Sequence, residues 1–433
     1  MTAAIIGFIV LITISLMGVP LAVASLITGV IGFAYLRGFE SAIVMAGQQI
    51  AELTVNTNLV VIPIFILMGE LARRSGITDE LYALAEASTK RFRGGLAMST
   101  VFASGAFSTV CGSSIATAAT MTKVAMPSMR RYGYKDSLSA GTVAAGGTLG
   151  ILIPPSVPMV IYCIFAQEDI GRMWMAGVGP GLVMVALFVL TIVLMVKIRP
   201  ELDGGGVIAE ENASVPNVSL GMAKGFLILF GVVLGGIYIG FFTPTEAASV
   251  GAFGAYVFAL LRGKMRTAKE YREMFSTAAG ISASIFAIAS CALVFSQFIN
   301  LSGLPYQLLD LIGQWELTGA QLVIAICLLC LVLGTVFDAL GILLLIIPIF
   351  IPSLQALSID LIWFGVLVII LIELGLITPP LGVNVFTVKA AQPDIQLKDI
   401  FAGSLPFVAA MLVTAVIVFY LPTVALFIPD LMK

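Results

Sequence analysis

Hydrophobic runs long enough to cross a lipid bilayer follow one another along almost the whole chain. A transmembrane helix needs about 20 consecutive, mostly apolar residues. The alternation of such runs with short polar stretches therefore predicts an all-α polytopic membrane protein. The runs that qualify as crossings are residues 3–18, 20–36, 54–71, 138–166, 173–197, 223–242, 245–261, 276–300, 358–388 and 399–427.

The composition of the chain excludes several classes of protein. Of its 433 residues, 60% are hydrophobic and 11% are charged, whereas soluble domains are roughly 45–50% apolar and about 25% charged. Only lipid can cover so much apolar surface. The net charge of −2 argues against a nucleic-acid partner. Because the chain contains no histidine, catalysis and metal binding by histidine are excluded.

The chain also contains an internal repeat. Four short motifs recur in the same order, at offsets between 225 and 229 residues. They predict a first repeat at residues 1–200 and a second at 224–433, joined by a polar linker at 201–223. The recurring pairs are Leu36-Arg37-Gly38 with Leu261-Arg262-Gly263, Ser75-Gly76 with Ser302-Gly303, Gly105 and Gly112 with Gly334 and Gly341, and Pro154-Pro155 with Pro379-Pro380.

The distribution of positive charge predicts that the two repeats cross the membrane in opposite directions. Residues 73–93 contain five Lys or Arg residues, whereas their counterparts at 300–320 contain none. Loops rich in Lys and Arg face the cytoplasm, so the linker is expected there and both chain ends in the periplasm. The charged stretches 79–92 and 262–275 suit helices that lie on the cytoplasmic interface, and solvated helical faces are the equally plausible alternative.

Two further hydrophobic stretches, 94–127 and 318–352, are too short for two full crossings and a turn. The first has basic loops on both sides, which places both of its ends in the cytoplasm. A re-entrant helical hairpin in each repeat satisfies both constraints, although two short full crossings are the alternative. The breaks are expected near Gly105, Gly112, Ser113 and Ser114 in the first hairpin, and near Gly334 and Gly341 in the second.

The double prolines predict that the helices at 138–166 and 358–388 are broken. Proline cannot donate a backbone hydrogen bond, so it frees a carbonyl four residues earlier. Freed carbonyls with Ser and Thr hydroxyls suit Na⁺, and the N-termini of half-helices suit an anion. A simple proline kink is the alternative for each helix. For the small polar residues at the first hairpin tip, the alternative is close helix packing.

Asp338 is the most informative single residue, because it lies in the middle of an apolar segment. A charge at bilayer depth costs about 2.5–3.5 kcal/mol on insertion scales, so such residues are usually functional. The alternative is that Asp338 caps a helix. Glu373 and Glu246 are weaker candidates that cap helices or pair near an interface. No arginine is expected deep in any segment.

Four stretches carry a resemblance to a known family: SGAFSTVCGSSIATAATM, GGTLGILIPPSVPMVIY, FDALGILLLIIPIF and ELGLITPPLGVNVF. At these motifs, and over essentially its whole length, the chain resembles the large membrane subunit of tripartite ATP-independent periplasmic (TRAP) transporters. The resemblance implies an elevator-type importer in the bacterial inner membrane. It implies Na⁺-coupled uptake of a small organic acid, either a C4-dicarboxylate or a sugar acid. The implied partners are a small four-helix membrane subunit on a separate chain, a periplasmic substrate-binding protein and membrane lipid.

The resemblance also implies which residues bind ions and substrate, with two or more Na⁺ ions, no organic cofactor and no catalytic residues. One Na⁺ site would use Ser104, Gly105, Gly147, Gly150 and Pro155. The other would use Gly334, Gly375, Thr378 and Leu381. The substrate would lie near Ser113, Ser114, Ser156, Asp338 and Asn384.

Two other functions are compatible with part of the sequence. A stand-alone ion-coupled anion permease would share the broken helices but would need no binding protein. An intramembrane enzyme based on Asp338 would need a second buried acid, for which Glu373 is the one fair candidate.

We predict that Asp338→Asn abolishes uptake, because the substitution removes the negative charge from the middle of the second hairpin. Uptake assays combined with an immunoblot of the membrane fraction check this, since the variant should still reach the membrane. Uptake at the wild-type rate would mean that Asp338 only caps a helix.

Overall fold

The computed structural model describes residues 2–89, 91–206, 220–335, 337 and 339–432, and within these residues all regular secondary structure is helical. The prediction of an all-α fold is therefore confirmed. Short 3₁₀ turns lie at Thr57–Val60 and Pro200–Gly206. The α-helices in the first half are α1 (Thr2–Leu16), α2 (Leu21–Arg37), α3 (Phe39–Val55), α4 (Val61–Ser75), α5 (Ile77–Thr89), α6 (Gly95–Cys111), α7 (Ser114–Arg131), α8 (Asp136–Leu152), α9 (Val157–Ala166) and α10 (Ile170–Ile198). Those in the second half are α11 (Leu220–Tyr238), α12 (Pro244–Leu261), α13 (Ala268–Leu301), α14 (Leu304–Gln314), α15 (Gly319–Gly334), α16 (Ala339–Ala356), α17 (Leu361–Gly375), α18 (Val383–Ala391), α19 (Leu397–Tyr420) and α20 (Thr423–Leu431).

Several of these elements have the length and composition of membrane-spanning segments. Within the described residues, six are long and apolar enough to cross a bilayer. Their order along the chain confirms the prediction of a polytopic membrane protein. The six are Asp136–Ala166, which contains α8 and α9, Ile170–Ile198, Pro244–Leu261, Ala268–Leu301, Ala339–Ala356 and Leu397–Tyr420.

Helix order and packing are similar in the two halves. Helices α7 and α16 start at Ser114 and Ala339, and α8 and α17 start at Asp136 and Leu361, 225 residues apart in each case. Helix α2 packs on α13 while α4 packs on α12, and α7 packs on α18 while α9 packs on α16. In each case a helix of one half packs on a helix of the other half. A two-fold axis that relates the halves would produce such an exchange of partners. The direction in which each half crosses the membrane stays a prediction.

The stretches predicted as hairpins each form a helix pair, α6–α7 and α15–α16. That these pairs are re-entrant stays a prediction. The first turns at Gly112 and Ser113, where the break was expected. The second pair is interrupted between Gly334, which ends α15, and Ala339, two residues before Gly341, so this break also lies near the expected residues. The expected break near Gly105 is wrong, because Gly105 lies inside α6. Gly105 faces the side chains of neighbouring helices at ordinary contact distance, so the helical backbone continues through it without strain.

The helices with double prolines are broken as predicted. Helix α8 ends at Leu152 and α9 begins at Val157, whereas α17 ends at Gly375 and α18 begins at Val383. The peptide bonds Pro154-Pro155 and Pro379-Pro380 are both cis. The first proline pair is buried and the second is exposed, so the two breaks lie in different surroundings.

The helices differ from the sequence prediction in three places. Helix α3 was missed, because Glu40, Gln48, Gln49 and Glu52 interrupt its hydrophobic pattern. Residues 262–275 do not form a separate interfacial helix, since α13 starts at its Thr267 cap and runs for 34 residues. The predicted segment 399–427 is divided between α19 and α20.

The hydrophobic interior has two parts. The larger one joins side chains from α3 to α20, including the fully buried Trp174 and Phe188. The smaller one packs α1 and α2 against Phe295 and Phe298 of α13, and against parts of α14 and α16. Helices α1 and α2 therefore join the rest of the molecule mainly through α13.

Glycines allow the closest helix approach, where α8 crosses α19. A β-carbon added to Gly403 would lie 1.8 Å from the carbonyl oxygen of Ser137, and one added to Gly141 would lie 2.3 Å from the carbonyl carbon of Gly403. Membrane helices use small residues in this way because close backbone contact replaces the hydrophobic driving force.

We predict that Gly403→Ala destabilises the protein by about 1–3 kcal/mol, because its methyl group forces α8 and α19 apart. A lower melting temperature of the purified protein in detergent checks this. Gly280→Ala is the matched control, because Gly280 is also helical and has open space around it. Equal melting temperatures for the two variants would contradict the prediction.

Candidate functional site

The tip of the first hairpin lies against the break in the first broken helix. Gly112 ends α6 in the left-handed conformation, with φ of 58°, which glycine adopts without strain. A β-carbon there would lie 2.9 Å from the carbonyl oxygen of Pro155. Ser113 then caps α7, as its Oγ accepts a hydrogen bond from the backbone N–H of Ala116 at 3.4 Å. The tip is thus a backbone turn in direct contact with another backbone break.

The tip packs against a face of α8 that is formed by glycines. A β-carbon on Gly150 would lie 2.8 Å from the carbonyl oxygen of Ser113. One on Gly147 would lie 3.1 Å from the carbonyl oxygen of Ser114 and 3.0 Å from Nδ2 of Asn384. Hairpin tip, first broken helix and second broken helix therefore meet at one place.

Glu373 lies at the same junction. Its exposed fraction is 0%, and its Oε2 accepts a hydrogen bond from the Ser114 hydroxyl at 2.5 Å. Among the residues that the structure describes, its Oε1 has no hydrogen-bond partner. The expectation that Glu373 caps a helix or pairs near an interface is wrong, because the packing of α17 buries it against the first hairpin. Glu246, by contrast, does cap a helix: it forms a capping box with Thr243 at the start of α12.

The residues expected to form the second Na⁺ site lie around the place where the ends of α15 and α17 cross. A β-carbon on Gly375 would lie 2.3 Å from the carbonyl carbon and 2.6 Å from the carbonyl oxygen of Gly334. The Thr378 hydroxyl donates to the carbonyl of Leu374 at 2.6 Å. Leu381 lies in the following turn and is 43% exposed. Gly334 and Gly375 are thus brought together, whereas no described contact joins Leu381 to them.

Several buried oxygens around this junction lack hydrogen-bond partners among the described residues. They include Oδ1 of Asn384 and Ser104 Oγ, which would lie 2.5 Å from a β-carbon added to Gly146. Asn384 uses only its Nδ2, which donates to the carbonyl of Ala144 at 3.4 Å. Most buried polar atoms in proteins are hydrogen-bonded. These oxygens therefore fit a site that binds a cation.

A cavity of about 460 Å³ adjoins the hairpin tip. Ligand pockets for small molecules usually measure about 300–1,000 Å³. The cavity lies between the tip, α4, α13 and the start of α16. Its polar lining comes from Glu70, Arg73, Ser113, Ser114 and Thr277.

Arg73 is the residue that sequence reasoning missed. It lines the cavity with its side chain 47% exposed, and its Nε and Nη2 donate to the two carboxylate oxygens of Glu70 at 2.8 and 2.6 Å. Nε of Arg74 also donates to Glu70, at 2.6 Å. The spacing of Glu70, Arg73 and Arg74 on one helix was the signal that could have revealed this cluster.

The other predicted substrate residues occupy different places. Ser113 and Ser114 line the cavity. Ser156 is buried, where its Oγ caps α9 and its carbonyl accepts from Nε1 of Trp174 at 3.3 Å. Asn384 is buried behind the tip. Asp338 lies outside the described residues.

Helix pairs and interrupted helices around a cavity that contains Glu70, Arg73 and several hydroxyl groups, inside an apolar helical bundle, define this protein as a membrane transporter of the broken-helix class. Its fold is similar to that in "Crystal structure of the Alcanivorax borkumensis YdaH transporter reveals an unusual topology". The TM-score is 0.67 over 88% of each chain at 14% sequence identity, a likeness of fold alone.

The chain belongs to the family of the tripartite ATP-independent periplasmic transporter, DctM component, whose model matches residues 7–424. It is 33% identical to the C4-dicarboxylate TRAP transporter large permease protein DctM of Pseudomonas aeruginosa, covering 88% of both chains. It is 30% identical to the ectoine TRAP transporter large permease protein TeaC of Halomonas elongata, covering 96% of this chain and 95% of that protein. The protein is therefore a multi-pass bacterial membrane transporter subunit and not an enzyme. The family works with a small membrane subunit and a periplasmic binding protein.

Proposed function

We propose that this subunit carries a small organic acid, a C4-dicarboxylate or a sugar acid, into the cell together with Na⁺. A periplasmic binding protein delivers the acid, and a small four-helix subunit on a separate chain completes the membrane complex. The single observation that carries this proposal is the junction of the first hairpin tip with both broken helices beside a cavity of about 460 Å³. An anion and a cation can be bound there side by side.

The first proposed Na⁺ site comprises Ser104, Gly105, Gly147, Gly150 and Pro155. Ser104 Oγ supports it, because this oxygen is buried and has no partner among the described residues. The proline at 154 cannot donate to the carbonyl of Gly150, which leaves that oxygen free for an ion. Gly334, Gly375, Thr378 and Leu381 form the second proposed site, supported by the contact between the two glycines.

The proposed motion is an elevator movement of inverted repeats, with the linker at 201–223 in the cytoplasm and both chain ends in the periplasm of an inner-membrane protein. The exchanged packing partners of the two halves support this arrangement. So does the difference between the buried first break and the exposed second break, because alternating access requires that related sites face different surroundings at any one time.

We predict that replacing Na⁺ abolishes uptake, because each Na⁺ moving down a membrane potential supplies about 2.3 kcal/mol per 100 mV. The test uses proteoliposomes that contain the subunit and its small membrane partner, with the binding protein outside. Succinate, fumarate and gluconate are the probes, and K⁺ replaces Na⁺ at an unchanged membrane potential. Undiminished uptake from Na⁺-free buffer, driven by a proton gradient, would refute Na⁺ coupling.

The same proteoliposomes test the alternative of a stand-alone ion-coupled permease. Leaving out the binding protein should stop uptake of the probes. Equal uptake with and without the binding protein would favour the alternative.

We propose that Arg73 attracts the carboxylate of the substrate. Glu70 carries one negative charge but contacts two guanidinium groups, Arg73 and Arg74. Arg74 also pairs with Glu273 at 3.5 Å, so Arg73 is the guanidinium of this cluster that lines the cavity. Arg74 stays paired with Glu70 when Arg73 turns towards a ligand, so the glutamate is not left as an unpaired charge.

We predict that Arg73→Gln lowers the kcat/KM of uptake about tenfold to a hundredfold, since a hydrogen bond to a charged group contributes about 1.5–3 kcal/mol. Initial uptake rates of the acidic probe at several concentrations of loaded binding protein measure this. Arg93→Gln is the control, because Arg93 is also exposed and pairs with Asp203 rather than lining the cavity. Equal loss of uptake in both variants would contradict a specific role for Arg73.

A further inference from the structure

The junction between α12 and α13 carries a group of cationic side chains at the surface of the protein. All of them are exposed. Within the described part of the chain, none of them belongs to an ion pair. We call this group the cationic patch, and its members are Lys264, Arg266, Lys269 and Arg272.

The two carboxylates nearest to the patch along the chain have other partners. Glu270 caps α13, because its Oε2 accepts hydrogen bonds at 2.8 Å from the backbone N–H groups of Arg266 and Thr267. Glu273 pairs with Arg74 at 3.5 Å. Residues 264–272 contain four cations and one carboxylate, so their net charge is +3. This excess of positive charge attracts an anion.

The loop that carries the patch has a fixed shape. Met265 is 2% exposed and anchors the loop in the interior, and its carbonyl accepts a hydrogen bond from the Tyr271 hydroxyl at 3.4 Å. Thr267 begins α13 with a capping box. The guanidinium of Arg266 lies against Gly263, where an added β-carbon would be 2.5 Å from Nη2. Because the loop is already ordered, an anion that binds there pays little to order it.

Exposed apolar side chains lie beside these cations. Leu261, at the end of α12, is 79% exposed, and Phe275 on α13 is 55% exposed. Phe275 lies three residues after Arg272, so the two side chains are neighbours on the helix surface. Both helices are long and apolar enough to cross a bilayer, which places the loop between them at a membrane surface. Cations next to exposed Leu and Phe side chains are typical of protein segments that contact headgroups and acyl chains together.

The internal repeat shows that the fold does not require these cations. The motif Leu36-Arg37-Gly38 recurs 225 residues later as Leu261-Arg262-Gly263. At the same offset, the residues that correspond to the patch are uncharged. The preference for positive charge in cytoplasmic loops accounts for the side of the membrane on which the cations lie, whereas a bound anion accounts for their gathering at one ordered loop. The corresponding residues are Phe39, Ser41, Val44 and Gly47.

We propose that the cationic patch binds the headgroup of an anionic phospholipid, whose acyl chains lie against Leu261 and Phe275. Clusters of four or more Lys and Arg residues next to a membrane helix attract such headgroups. The bound lipid holds the start of α13 at the membrane surface. No patch residue lines the cavity or belongs to the proposed Na⁺ sites, so lipid binding is measurable without transport.

Native mass spectrometry of the purified complex of the two membrane subunits tests the proposal. The probes are dioleoylphosphatidylglycerol, which is anionic, and dioleoylphosphatidylcholine, which has the same acyl chains and no net charge. The wild-type complex should bind phosphatidylglycerol more tightly than phosphatidylcholine. Replacing all four patch cations by Gln should weaken the tightest phosphatidylglycerol site about tenfold to a hundredfold, because each cation near the membrane surface adds to the attraction. Equal affinity of this variant and the wild type for phosphatidylglycerol would overturn the proposal.

A variant with scattered substitutions controls for total charge. It replaces four exposed cations in different parts of the chain by Gln, and it should keep the tight phosphatidylglycerol site. Equal weakening in the patch variant and the scattered variant would show that net charge alone matters, and would overturn the proposal. The scattered positions are Arg37, Arg91, Arg131 and Lys398.

Two milder variants keep the test decisive if the fourfold variant fails to assemble. Lys269→Gln combined with Arg272→Gln changes only exposed positions on a regular helix, and it should weaken phosphatidylglycerol binding by a smaller factor. Unchanged affinity in this pair would overturn the proposal. Arg266→Lys combined with Arg272→Lys keeps the charge and should bind as the wild type does, so a loss of binding there would contradict attraction by charge.

Soluble anions distinguish a lipid site from a site for free phosphate. Inorganic phosphate and glycerol 3-phosphate, each at the same concentration as phosphatidylglycerol, should leave the lipid bound. They have no acyl chains to contact Leu261 and Phe275. Displacement of the lipid by either anion would overturn the lipid site in favour of a site for a soluble phosphate.

Discussion

Inside a bilayer, every backbone N–H and C=O group needs a partner within the protein, and the centre of this molecule is arranged around that requirement. Helices α6 and α8 both end in the apolar interior. Their ends cover one another, because Gly112 lies against the carbonyl of Pro155 and Gly150 lies against the hairpin tip. The irregular backbone that an ion site needs is thereby kept away from lipid.

Glycine makes this covering possible. At Gly150 and at the contact between Gly334 and Gly375, a β-carbon would occupy the space that a neighbouring backbone fills. The absence of side chains has a second effect, because it brings carbonyl oxygens of different helices close together. An apolar chain can in this way present several oxygens to a cation without burying many charged side chains. The crossing of α8 and α19 at Gly141 and Gly403 also depends on the absence of side chains, but there the close backbone contact serves packing alone.

Charged groups are few in the interior of the described structure, and two groups of them lie beside the first hairpin tip. Arg73 and Glu70 line the cavity beside the hairpin tip, and Glu373 lies beneath that tip. The first group is partly open to solvent and the second is completely enclosed. The first arrangement suits the attraction of a charged ligand, because a charge that stays near water costs little to maintain.

The sequence alone determined the features that depend on local chemistry. Long apolar runs predicted membrane helices, the double prolines predicted both breaks, and Gly112 with Ser113 predicted the first hairpin turn, since each is a property of the backbone at that position. Only the tertiary structure decided which of these breaks meet and what lies around them. Gly105 could break a helix or continue it, and its neighbours decided in favour of the helix. The contact between Ser114 and Glu373 and the place of Arg73 in the cavity join residues far apart in the chain, and the packing of whole helices, rather than any local pattern, brings them together.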